Sequence, residues 1–237
     1  MQFVILKENE FEKEALKLPC SNFHQTVKWG KLKQKNGWIP HLLGVKEKGK
    51  VIAATLLLEK KVLKKFSIFY SPRGYLLDYK NKKLIEFFTE EIKKFAKERK
   101  AIFIKIDPYL INKERDINGE TIENGIDNSE VIEYLKSLGY KHTGFNLKHE
   151  NMQPRWAFAL NLEGKTEKEL LDGMESKTRQ LIRKNERNNI EIREIDEEEL
   201  SLFKNIMNHT SDRRGFIDRP FSYYKNMSDR IPFAPNL

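Results

Sequence analysis

Residues 81–108 read NKKLIEFFTEEIKKFAKERKAIFIKIDP, and the hydrophobic period changes partway along. Leu84, Phe87, Phe88, Ile92 and Phe95 recur at helical spacing, lysines and glutamates fill the intervening positions, and Asn81 stands where an N-cap belongs. From Ala101 the chain turns β-branched and aromatic, so a buried strand is expected over 101–106, ended by Asp107-Pro108. A helix running straight into a strand points to a mixed α/β architecture.

Upstream, residues 41–46 and 51–59 read as strands joined through Glu47-Lys48-Gly49-Lys50, with glycine supplying the hairpin turn, and 65–70 reads as a third strand. Asn22 is expected to cap a helix with Phe23, Val27, Trp29 or Gly30, and Leu32 on its apolar side, ending at Gly37. Downstream, residues 112–128 are polar and glycine-containing, as in a surface loop, and a short helix over 129–138 stops at Gly139. Strands are expected over 140–147 and 155–162, with a domain boundary at Gln153-Pro154 between them. Thr166 and Glu169 form a capping-box pattern, followed by a helix over 177–187, a strand over 190–195, and helices over 199–212 and 221–227.

Lys plus Arg number 44 against 35 Asp plus Glu, and the resulting +9 favours polyanions such as tRNA, nucleotide diphosphates or an anionic membrane surface. Lys-rich proteins without such partners carry similar surpluses. The single cysteine, Cys20, excludes an intramolecular disulfide framework and suits a reducing compartment as a buried structural thiol. No signal-type or membrane-spanning apolar run is present, so a cytoplasmic protein is expected, with any membrane contact peripheral. His24, His41, His142, His149 and His209 form no closely spaced ligand set, and no metal or cofactor is expected.

Arg179, Arg183 and Arg187 lie at i, i+4 and i+8, with Lys177 and Lys184 beside them. They form a cationic ridge suited to a phosphate backbone, or simply a solvated helix face balanced by Glu186 and Glu191. Arg73, between Ser71-Pro72 and Gly74, either presents its guanidinium to a carboxylate or phosphate or pairs with Asp78 or another acid. Asp107 is a polar site residue at a strand end or a local backbone cap. Lys33 alone would be a surface lysine, whereas Arg219 and Tyr223, at i and i+4, share one side of a helix that begins at Pro220.

Five segments occur in a set order: Ser21-Asn22-Phe23-His24-Gln25 into Trp29-Gly30-Lys31-Leu32-Lys33, Tyr70-Ser71-Pro72-Arg73-Gly74 with Asp78, Ile104-Lys105-Ile106-Asp107-Pro108, and Arg219-Pro220-Phe221-Ser222-Tyr223. In this order the chain resembles the FemABX family over most of its length. The resemblance implies tandem acetyltransferase-like (GNAT-like) mixed α/β domains, the first over 1–154 and an incomplete second over 155–237. It also implies transfer of an amino acid of the glycine, alanine or serine class from aminoacyl-tRNA to the stem-peptide amine of a lipid-linked or nucleotide-linked muramyl-peptide precursor such as lipid II, at the inner face of the membrane. By residue matching, Lys33 and Arg219 hold the precursor diphosphate and Tyr223 and Asp107 line its cleft, with Arg73 a more local inference. Aminoacyl-tRNA is the co-substrate, and no further cofactor is needed because the ester carries the activation. The family's late Phe-Lys pair has no counterpart here, Phe203-Lys204 coming too early, so the catalytic residue is unassigned and a C-terminally truncated chain is expected, either an inactive fragment or a product with impaired transfer. Two other readings stand beside this one: an acyl-CoA-dependent N-acyltransferase, and a non-catalytic module binding tRNA or a membrane surface.

Overall fold

The computed structural model describes residues 1–63, 65–145, 160–188 and 190–228. Its centre is a five-stranded mixed sheet in sequence order, β1 (Gln2–Ile5), β2 (Ile39–Glu47), β3 (Lys50–Val62), β4 (Phe66–Ser71) and β5 (Ala101–Ile106). The first four pair antiparallel and β5 joins β4 in parallel. The β2–β3 hairpin closes through Lys48 and Gly49, both at positive φ (49° and 79°), the two-residue turn whose twist matches that of the flanking strands.

β3 alternates sides along a stretch buried on both. Ala53, Leu57 and their neighbours meet Ile85, Phe88, Ile92 and Phe95 of α3 (Lys82–Glu98), which covers one face of the sheet. Ala54, Leu56 and Leu58 meet Phe11 and Ala15 of α1 (Glu8–Ala15) and Trp29 and Leu32 of α2 (Val27–Lys35) on the other. Gly30 lets α2 lie close, since a Cβ there would sit 3.1 Å from Leu56 Cδ1 and 3.3 Å from Pro40 Cβ. β1 and α1 had no counterpart in the sequence reading.

Further on come α4 (Ser129–Ser137), α5 (Glu167–Asp172), α6 (Ser176–Arg187), α7 (Leu200–Arg214) and α8 (Phe221–Ser228). By contacts the chain forms one unit of Met1–His142 with Leu200–Leu237 and a second of Thr143–Glu199. Asn81 caps α3 and Thr166 with Glu169 closes the capping box of α5, as their sequences indicate.

Several expectations are corrected. The Asn22-capped helix is two elements: Asn22 caps a 3-10 turn over Phe23–Gln25, and extended Thr26 restarts the chain as the cap of α2. β5 is the sheet's outer strand, with Ile102 and Phe103 54% and 51% exposed instead of buried. Residues 190–195, expected as a strand, form none and leave Ile192 95% exposed. Residues 140–145 and 160–162 likewise carry no strand, and the rest of those two expected strands, with the boundary at Pro154, lies outside the described residues.

Candidate functional site

Gln25 organises the loop that carries Arg73. Its buried amide donates to the Pro72 carbonyl at 2.6 Å, and its oxygen accepts the Leu56 N–H at 2.7 Å. Gly74 is required beside it, because a Cβ would stand 2.1 Å from Ser71 Oγ and 2.9 Å from Gln25 Nε2. From the other side, Asp107 at the end of β5 accepts the Arg73 N–H at 2.6 Å and the Tyr70 hydroxyl at 2.9 Å. Burial lifts the Asp107 carboxyl above its ordinary range, against the pull of those two donors. Asp107 thus fixes the backbone of the Arg73 turn, with each oxygen engaged. The Arg73 residue adopts φ 56°, and its guanidinium lies 5.5 Å from the Tyr109 ring centre.

A second group gathers on α2 and α8. The Lys33 ammonium lies 4.5 Å from the centre of the Trp29 indole and 5.7 Å from the Tyr223 ring, and the Arg219 guanidinium lies 5.4 Å from that same tyrosine. Burial, then the charge of Arg219, pulls the Lys33 ammonium below its usual pKa. Among the described residues neither Lys33 nor Arg219 forms an ion pair with a carboxylate. Among the described residues, two cations close enough to disfavour one another rest on aromatic faces with no carboxylate partner. Lys35 ties the helices together by donating to Asn226 at 2.9 Å.

The structure therefore brings Lys33, Arg219 and Tyr223 into one cluster and Arg73 and Asp107 into one turn. After burial, the charges of Arg73 and Lys33 both act on His24, whose ring packs on Trp29. Sequence reasoning passed over four contributors. His24 and Gln25 stood inside a quoted segment without a role, and Trp29 supplies the surface under Lys33. Lys204 pairs with Asp218 and donates to the Arg219 carbonyl at 2.8 Å, fixing the segment that bears Arg219.

The basic ridge on α6 is less uniform than its spacing suggests. Lys177, Arg183, Lys184 and Arg187 are exposed, but Arg179 is half-buried and donates to the carbonyls of Asp172 and Met174. Glu167, Asp172 and Glu186 share the groove of Arg179 and Arg183, so its charge is mixed. Among the described residues no group of His, Cys, Asp and Glu is arranged to hold a metal, and no helix is long and apolar enough to cross a membrane.

A mixed α/β domain with a cationic pair on an aromatic floor, without a carboxylate partner among the described residues, is the class these observations define. Over 228 residues the chain is 35% identical to aminoacyltransferase FemA of Staphylococcus aureus strain bovine RF122 / ET3-1 and to that of strain MRSA252, covering 95% of this chain and 54% of each relative. The crystal structure of FemX superposes with a TM-score of 0.77 at 28% identity, covering 97% of this chain and 54% of that one. The FemAB family model matches residues 6–232, and the chain belongs to the FemAB family. It spans about half the length of the curated relatives it matches.

Proposed function

We propose that this chain binds a muramyl-peptide precursor, nucleotide-linked or lipid-linked, through its diphosphate, and serves the transfer of an amino acid from aminoacyl-tRNA onto the precursor's stem-peptide amine. The observation that carries the reading is the Lys33–Arg219 pair, its lysine half-buried and its arginine exposed, without a carboxylate partner among the described residues. A diphosphate supplies the missing negative charge, and Tyr223 and Trp29 give the ligand a rigid floor. Kinship with proteins named aminoacyltransferase supplies the reaction class.

In that reaction the stem amine attacks the ester carbonyl of aminoacyl-tRNA. The new C–N bond forms, the C–O bond to the tRNA ribose breaks, and the proton that the amine loses ends on the departing ribose oxygen. The energy comes from the ester, so the protein's task is to position two bound reactants. The Asp107-pinned turn presents Arg73 toward the same ligand, and exposed Lys177, Arg183, Lys184 and Arg187 would follow the tRNA backbone. The setting is the cytoplasmic face of the membrane, reached peripherally when the precursor is lipid-linked.

Binding tests this more directly than turnover, because it needs only residues that the chain contains. Isothermal titration with UDP-N-acetylmuramyl-pentapeptide is expected to show saturable binding that weakens about 10- to 100-fold in Lys33→Ala and in Arg219→Ala, the loss of one charged hydrogen-bonding group. Wild-type affinity in both variants, or tight coenzyme A binding in place of the nucleotide, overturns the reading.

A further inference from the structure

His24 is the one ring in the cluster whose protonation state can be read from its partners. The Asn22 side-chain oxygen accepts the backbone N–H of His24 at 3.0 Å and faces His24 Nδ1 at 2.6 Å. A backbone N–H only donates, so the atom of Asn22 that meets it is the amide oxygen; the same oxygen then requires Nδ1 to carry a proton. In the neutral ring, Nε2 is left with a bare lone pair, and among the described residues it has no hydrogen-bond partner. The ring cannot easily turn away: it lies 3.9 Å from the Phe23 ring centre and 4.6 Å from that of Trp29, the same indole that carries Lys33.

The surroundings keep it neutral. Burial first, then the charges of Arg73 and Lys33, lower its pKa to about 4. The two charged groups that act on it, Arg73 and Lys33, are donors without acceptor capacity. A bare lone pair repels phosphate oxygens, so in this cluster it suits a donor that the ligand carries beside its phosphates.

We propose that His24 is a specificity-determining residue of this site, its Nε2 accepting a hydrogen bond from a sugar hydroxyl adjacent to the bound diphosphate. The inference rests on reading the Lys33–Arg219 cluster as a diphosphate site. It assigns the ligand class as a sugar-bearing diphosphate and sets it apart from bare polyanions.

The test compares UDP-N-acetylmuramyl-pentapeptide with inorganic pyrophosphate on the full chain. His24→Leu removes the acceptor, and His24→Gln returns an amide oxygen to the same reach. The expected result is about a tenfold loss of nucleotide affinity in His24→Leu, the loss of one hydrogen bond to a neutral group, with pyrophosphate affinity unchanged and most of the loss recovered in His24→Gln. Nitrogen-15 NMR of the wild-type ring gives a reading that needs no variant: the nucleotide is expected to move the Nε2 resonance and pyrophosphate to leave it in place. An equal loss for both probes, or an unmoved Nε2 with the nucleotide bound, overturns the proposal while the diphosphate site stands. Failure of the wild-type chain to bind either probe removes the functional reading and this inference with it.

Discussion

At the residue scale, Gln25 shows why a short motif can be visible in sequence while its reason is not. β3 pairs with β4 from Leu58 onward, and Ala54 bridges to Leu76, which leaves Leu56, paired with Leu42 of β2 on one edge, without a strand opposite its other edge. The Gln25 amide fills that gap as a peptide group would, taking the Leu56 N–H and giving its own N–H to Pro72, 47 positions away. No local period announces such a bond, so Gln25 was legible only as part of an ordered segment. Replacing it by Leu keeps the volume but leaves a buried N–H and a carbonyl unpaired, each costing about 1–3 kcal/mol. Gln25→Leu is expected to lower unfolding free energy in urea by about 3 kcal/mol and to weaken nucleotide binding through the loosened Arg73 turn. A loss below about 1 kcal/mol contradicts this role.

At the element scale, what could be read ahead was what local chemistry decides. The Asn81 cap, the Lys48-Gly49 turn and the Thr166/Glu169 box are short-range devices and stand where their residues put them. Elements that depend on a distant partner went astray. The three isoleucines over 190–195 suit a strand, but a strand needs a neighbour, and the described residues supply none. Thr26 breaks the helix expected from Asn22 because its hydroxyl accepts the Trp29 N–H at 3.2 Å and starts a new first turn. The α6 ridge repeats the lesson: spacing makes Arg179, Arg183 and Arg187 equivalent, whereas Arg179 turns back to close the end of α5. Arg179→Ala is therefore expected to speed amide exchange in α5 and α6, at a cost of about 1 kcal/mol, while Arg183→Ala and Lys184→Ala leave exchange unchanged. Gel-shift titration with tRNA should show the reverse order for Arg183 and Lys184, each lowering affinity and reducing its salt dependence. Matching effects of all three substitutions on RNA binding alone contradict the division.

At the scale of the whole molecule, the fold rests on one sheet covered on both faces, and the described residues 160–199 contain no buried side chain. Apart from Glu169 and Glu199, whose carboxyls local hydrogen bonds lower, the groups that make stability depend on acid accordingly lie in the unit built around the sheet. His24, held at about 4, and His41, also lowered and chiefly by burial, both resist protons that the unfolded chain takes up near 6.5. Glu59 is 2% exposed; burial raises its carboxyl, but hydrogen bonds from Lys61, Ser67 and His41 outweigh that and hold it at about 2. For all three the folded state binds fewer protons than the unfolded one, so stability rises with pH across each window and is lost as pH falls. The histidine contribution declines from pH 6.5 downward, and that of Glu59 between 4.5 and 2. Asp107, raised by burial, has the opposite sign and opposes part of this loss just above its ordinary value of 3.8. Melting temperature followed by circular dichroism is expected to fall steadily from pH 7 to pH 4 in the wild-type chain and more shallowly in His24→Gln, which has nothing to protonate there. Parallel profiles would show that His24 titrates alike folded and unfolded, and the effect of burial, with that of Arg73 and Lys33, on the ring would then be absent.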